Sequence, residues 1–246
     1  MTGTLRLGST VPDFAASTNK GDFQFHDYIN GSWAILFSHP DDFTPVCTTE
    51  LGEAARQQGE FDKRGVKLIG LSANDIDSHD RWIKDITDVS KANVTFPIIG
   101  DKDRKIATTF DMLDQLDETN KDVKGLPLTV RSVFVINPNK QIVTIITYPA
   151  SVGRNFDEIL RVIDSLQLSA SLQGKVTTPV NWRKGDDVII APPVKDEEAK
   201  QLFGDFRAEK PYLSPNIDAR REKVRADLLH SLEIKKEESK HVCDLK

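Results

Sequence analysis

Cys47 stands in the string His39-Pro40-Asp41-Asp42-Phe43-Thr44-Pro45-Val46-Cys47-Thr48-Thr49-Glu50. Proline is favoured at the first position of a helix, so Pro45 predicts a helix start with Thr44 as its cap and Cys47 as its third residue. Backbone N–H groups there lack partners within the helix, and the positive end of the helix dipole favours a thiolate. A lone cysteine is by default a small, inert, buried hydrophobe, but this placement reverses the default and predicts a reactive thiol. The chain has one other cysteine, Cys243 near its end. Two such distant residues build neither a disulfide framework nor a cysteine-rich zinc site, so any role for the sulfur is that of a thiol. His39 precedes a proline and reads as a loop residue with no second histidine at metal-ligand spacing, so no metal and no other cofactor is expected.

The elements that must position Cys47 are legible around it. Trp33 to Ser38 and Val66 to Ser72 are continuous apolar runs that read as buried strands. Between them, Thr44 to Arg64 carries Cys47, Leu51, Ala54, Ala55, Gln58 and Phe61 at helical spacing. Strand, helix and strand in that order predict parallel pairing. A helix is expected from about Asp77 to Val89, with Trp82, Ile86 and Val89 on one side. Arg131 to Ile136 and Ile142 to Tyr148 read as an antiparallel hairpin around Asn137-Pro138-Asn139-Lys140. Asn155 caps a further helix whose buried stripe is Phe156, Ile159, Leu160, Ile163 and Leu166. An α/β domain over residues 1–168 is therefore expected, followed by a smaller unit over 169–246. In the latter, prolines separate a short strand, Val188 to Ala191, from a last helix running from Asn216 to about Leu232.

Composition narrows the function classes. The chain has 246 residues, 38% hydrophobic and 29% charged, with 33 basic against 38 acidic residues and a net charge of −5. That balance fits a soluble globular protein and gives no electrostatic reason to bind nucleic acid or an anionic membrane. Acidic and basic residues are equal in number from Pro193 to Lys246, so the extension is no nucleic-acid arm either. The first thirty residues hold Arg6, Asp13, Lys20 and Asp22 without a long apolar run. Neither a signal peptide nor membrane insertion is expected, and the expected address is the cytoplasm.

The string from Pro40 through Thr44 to Cys47, continued by Thr48-Thr49-Glu50, resembles the active-site motif of the peroxiredoxins. The resemblance continues through Gly125-Leu126-Pro127-Leu128-Thr129-Val130-Arg131, Tyr148-Pro149-Ala150, Gly153-Arg154-Asn155-Phe156 and Pro179-Val180-Asn181-Trp182. With no cysteine near residue 170, it is to the 1-Cys, peroxiredoxin 6 subfamily. The resemblance implies a thioredoxin-like fold with a C-terminal extension domain. It also implies a peroxidase that reduces hydrogen peroxide and organic hydroperoxides, lipid hydroperoxides included, through a Cys47 sulfenic acid. It implies that Cys47 attacks the peroxide, Thr44 hydrogen-bonds its oxygens, Arg131 favours the thiolate and Pro40 shields the sulfur, with His39, Glu50 and Arg154 as supporting partners. The expected reductant is an external thiol of glutathione or thioredoxin type. The exposed strand Ile142 to Tyr148 is a candidate for pairing across a homodimer.

Two rival functions stand beside this one: an acyl hydrolase at Ser32, or a non-catalytic chaperone or binding module on the same fold. Asn30-Gly31-Ser32-Trp33-Ala34 lacks the flanking glycines of a nucleophile elbow, and Asn139 stands where the acid of a triad with His26 would be expected. Cys243 could resolve the Cys47 sulfenic acid as a disulfide, but Asp244 opposes its ionisation, so it is read as a solvated tail thiol.

Overall fold

The structure, a computed structural model, describes residues 5–204 together with 216–217. Two short strands, β1 (Ala15–Ala16) and β2 (Phe23–Gln24), form an antiparallel ribbon that leads into the single-turn helix α1 (Phe25–Tyr28). After them come β3 (Trp33–Ser38), α2 (Pro45–Arg56), α3 (Gln58–Lys63) and β4 (Val66–Ser72). The chain continues with α4 (Ile76–Ser90), β5 (Ile98–Gly100) and α5 (Lys105–Thr109), then β6 (Arg131–Ile136), β7 (Ile142–Tyr148) and α6 (Phe156–Ser171). The remaining elements are β8 (Val176–Thr177), β9 (Val188–Ile190), α7 (Asp196–Phe203) and β10 (Asn216–Ile217).

The main sheet has the order β5-β4-β3-β6-β7. As the strand–helix–strand reading requires, β3 pairs with β4 in parallel, and β6 and β7 form the antiparallel hairpin. β6 also lies antiparallel to β3, in register from Ala34 opposite Ile136 to Phe37 opposite Val133. β3 is thus central, and its apolar run is buried from Ala34 to Ser38 because a strand flanked on both edges and covered on both faces has no solvated side. Leu36, Ile69, Leu71, Phe134 and Ile136 join Phe25, Phe110 and Ile142 in one core cluster.

The chain divides into two compact units between Asp157 and Glu158. In the second, β8, β9 and β10 form an antiparallel sheet, and Val176, Trp182, Val188, Ile190, Ala199 and Phe203 make its core. No helix among the described residues is long and apolar enough to cross a membrane.

Several expectations need correction. The helix expected over Thr44 to Arg64 is two helices. Gln57 leaves helical geometry (φ −90°, ψ 2°) between α2 and α3, and the poor helix former Gly59 follows it. Val89 is exposed at the end of α4, outside the stripe of Trp82 and Ile86. β9 ends at Ile190, one residue early. Asn216 and Ile217 begin no helix; they pair with Ile189 and Val188, because the open edge of β9 offers backbone groups that a strand satisfies. The remainder of that expected helix, like Cys243, lies outside the described residues.

Candidate active site around Cys47

β3 delivers the chain to the site, and the first turn of α2 carries the nucleophile. The residues between turn sharply: Phe43 takes a left-handed conformation (φ 55°) and Thr44 returns to an extended one (φ −107°, ψ 148°) before Pro45 opens the helix. Thr44 occupies the cap position as expected, but its hydroxyl donates to the Asp41 carbonyl at 2.9 Å and caps no N–H. The first helical bond runs from Thr48 N–H to the Thr44 carbonyl, which leaves the N–H groups of Val46 and Cys47 without intrahelical acceptors. Cys47 is fully buried at this turn, and Pro40 is buried in the loop before it.

The positive charge comes from β6, the strand paired with β3. Arg131 opens β6, and its Nη1 donates to Cys47 Sγ at 3.3 Å and to Glu50 Oε2 at 2.6 Å. Its Nε and Nη2 donate to the Ala150 carbonyl, which fixes the plane of the guanidinium. Glu50, one turn beyond Cys47, is held in turn by Arg154 through the backbone N–H (2.7 Å), Nε (2.9 Å) and Nη2 (2.8 Å). Arg154 Nη1 donates to the carbonyl of Ser38, the last residue of β3. Burial works to raise the Glu50 carboxyl, but the charge and hydrogen bonds of Arg154 and the charge of Arg131 outweigh it. The carboxyl is held below the usual range. Two buried cations thus share one buried anion, and the surplus positive charge faces the sulfur.

A second cluster was not read from the sequence. His39 Nε2 lies 2.9 Å from Asp42 Oδ1, and His79 Nδ1, from α4, lies 2.8 Å from Asp42 Oδ2. Spacing along the chain could not reveal His79, because α4 brings it to the loop only in the folded state. Burial opposes ionisation of Asp42, yet the hydrogen bonds from His39 and His79 prevail and hold its carboxyl low. Burial pushes the His39 imidazole below its ordinary value, against the pull of Asp42. These three side chains bring nitrogen and oxygen atoms within 4.8 Å of one another. Their nitrogen-to-oxygen separations are those of N–H···O bonds. The His39 ring also lies 5.0 Å from the Trp82 ring, and Trp82 Nε1 donates to Thr48 Oγ beside Cys47.

The structure therefore gathers Cys47, Arg131, Glu50 and Arg154 into one network, with Thr44 and Pro40 on the loop before it and His39 in the adjoining cluster. Ser32 sits apart, at the bend before β3, and His26 spends its Nε2 on the Val11 carbonyl at 2.8 Å.

A buried cysteine at a helix start after a central strand, faced by an arginine from a neighbouring strand, defines a thioredoxin-like thiol enzyme. The chain belongs to the AhpC/TSA family, whose model matches residues 7–145, and residues 165–205 match the C-terminal domain of 1-Cys peroxiredoxin. It is 54% identical over 211 residues to peroxiredoxin PRX1, mitochondrial, of Saccharomyces cerevisiae, covering 85% of this chain and 79% of that protein. It is 53% identical over 217 residues to peroxiredoxin-6 of Rattus norvegicus, covering 86% and 95%. Among solved structures, a cysteine-to-serine mutant of peroxiredoxin 6 from Arenicola marina superposes with a TM-score of 0.82 at 45% identity, covering 87% of this chain and 98% of that one. A yeast mitochondrial 1-Cys peroxiredoxin, described with its thiol resolving mechanism via glutathione/thioredoxin systems, gives 0.78 at 50% identity, covering 87% and 100%. The protein is a peroxiredoxin of the 1-Cys type, a thiol-dependent peroxidase.

Proposed function

We propose that Cys47 is the peroxide-reducing nucleophile and that the Arg131–Glu50–Arg154 network serves to hold a guanidinium N–H against its sulfur. The observation that carries this reading is the 3.3 Å contact from Arg131 Nη1 to Cys47 Sγ at the first turn of α2. The thiolate attacks one oxygen of a hydroperoxide, and an S–O bond forms as the O–O bond breaks. The departing oxygen takes up a proton and leaves as water or an alcohol. Charge grows on that oxygen in the transition state, and Arg131 with the free N–H groups of Val46 and Cys47 are the donors that stabilise it. Thr44 Oγ, with its hydrogen given to Asp41, keeps lone pairs to accept from the peroxide O–H. Pro40 screens the sulfur from water.

The sulfenic acid returns to the thiol through two further thiols. The first condenses with it, releasing water and forming a mixed disulfide; the second displaces the Cys47 thiolate. The yeast relative's description names glutathione and thioredoxin systems, which favours an external thiol of that class for this chain. Hydrogen peroxide and organic hydroperoxides, lipid hydroperoxides included, are the proposed substrates. β7 is the outer strand of the main sheet, and a homodimer paired along it is part of the proposal. So is a cytoplasmic address, to be tested by fractionation against the mitochondrial one that the Saccharomyces relative's name raises.

The decisive experiment mixes the reduced full chain with excess hydrogen peroxide and no reductant. A rapid burst of about one equivalent per Cys47 is expected, abolished in Cys47→Ser and turned into steady turnover by glutathione or thioredoxin. A burst that survives Cys47→Ser would overturn the assignment.

A further inference from the structure

The loop into α2 holds a buried polar cluster that the peroxide chemistry above leaves unused. Asp42 receives three side-chain donors: His39 Nε2 at 2.9 Å on Oδ1, and His79 Nδ1 at 2.8 Å and Ser78 Oγ at 2.7 Å on Oδ2. An ionised carboxylate only accepts, so both of these imidazole nitrogens carry hydrogens. The other nitrogen of His79 lies 3.3 Å from the Ile99 carbonyl oxygen, which again only accepts. Both nitrogens of His79 therefore face acceptors, and a neutral imidazole has a hydrogen for just one of them. His39 differs, because its Nδ1 is buried without a partner and nothing there holds a second proton. Arg154, which donates to the carbonyl of Ser38 next to His39, adds positive charge that opposes one.

We propose that His79 is the imidazolium of a buried His79–Asp42–His39 relay and acts as a positioning residue. It holds Asp42 as the anion and so keeps His39 neutral, with its hydrogen on Nε2 and a bare, hydrogen-accepting Nδ1. The His39 ring sits against Trp82, which is bonded to Thr48, so the acceptor belongs to the wall of the turn that carries Cys47. Without the His79 cation, the buried Asp42 carboxylate would draw a second proton onto His39 and turn this acceptor into a donor. The charge assignment stands on hydrogen-bond geometry alone, whereas its effect on turnover rests on the Cys47 reading above.

The test is a long-range proton–nitrogen correlation spectrum of the reduced full chain, labelled with nitrogen-15 at histidine, at neutral pH. The His79 signals, identified by their loss in His79→Gln, are expected to show two protonated nitrogens. Those of His39, identified by His39→Gln, should show a protonated Nε2 and a bare Nδ1. In His79→Gln, His39 should become doubly protonated and the peroxide burst should slow by about tenfold or more. One bare nitrogen on His79 in the unmutated protein overturns the proposal, and so does a metal-shifted nitrogen on either residue. Slower turnover in His79→Gln with His39 unchanged also overturns it, since His79 would then serve structure alone. Should His79→Gln fail to fold, the unmutated protein still decides the charge, its signals assigned through conserved-shape variants such as His79→Asn. A normal spectrum with no Cys47-dependent burst would fault the peroxidase reading and leave the relay standing.

Discussion

Glu50→Gln isolates the electrostatics of the site, because it keeps the side chain's shape and removes its charge. The carboxylate accepts from Arg131 Nη1 and from the N–H, Nε and Nη2 of Arg154, all within 2.9 Å, in a position that is 4% exposed. The glutamine can accept on one oxygen only and must aim its own N–H groups at a guanidinium. Two buried cations then lose their counter-charge, a loss worth about 3–5 kcal/mol when one partner of a buried pair is removed. A value of about 4 kcal/mol corresponds to a nearly thousandfold drop in the folding equilibrium constant. With a urea slope of roughly 3 kcal/mol per molar for a chain of this size, the unfolding midpoint should fall by about 1.3 M. The pH dependence follows from the lowered Glu50 carboxyl. A carboxyl held below its unfolded value, which is about 4.3, adds stability above that pH and loses it as pH falls through the folded value. The gap between unmutated protein and variant should therefore be widest near neutrality and narrow toward acid. Urea titrations at several pH values, followed by tryptophan fluorescence, measure it. A destabilisation under about 1 kcal/mol, or a gap that does not change with pH, would refute the reasoning.

Cys47→Ser should abolish peroxide reduction while leaving the unfolding midpoint nearly unchanged, since the hydroxyl is close in size and far less nucleophilic; peroxide consumption and urea unfolding measure the two. Arg131→Ala should slow both peroxide reduction and alkylation of Cys47 by iodoacetamide, the former by about a hundredfold, and an unchanged alkylation rate would remove Arg131 from the site. Gly52→Ala should destabilise by about 1–3 kcal/mol in thermal or urea unfolding. A methyl group there would stand 2.7 Å from Ser90 Cβ, where α2 packs on α4.

The legibility of the fold varied with the length and context of each segment. β3, β4, β6 and β7 are long apolar or alternating runs between turn residues, so their limits could be read directly. β5 has three residues after Pro97, too few to show a period, and it is a strand because β4 offers it an edge. Asn216 and Ile217 had helical spacing with later residues, but backbone pairing with β9 outweighed that pattern. At the site, Pro45 announced the position of Cys47 by local rules alone. Arg131 and Arg154 carried no such mark, being charged residues at the ends of apolar segments until the sheet brings them inside. Asp42 and His79 were passed over for the same reason, as their partnership exists only where α4 crosses the loop.

The closure of the site has a consequence for how the protein is made. Arg131 lies 84 positions beyond Cys47, and Arg154 lies 104 beyond Glu50. During synthesis the nucleophile leaves the ribosome well before either arginine has been translated. At about 5–20 residues per second, several seconds pass before Arg154 is added. Contacts of such long separation also form late in folding, after the loop-closure entropy has been met. For that interval Cys47 is an ordinary thiol in an unfinished chain, without the guanidinium that faces it at the end. Reactivity toward peroxide is thus tied to completion of the β6–β7 hairpin and the residues after it, so a chain that stalls or truncates before them cannot present an armed sulfur.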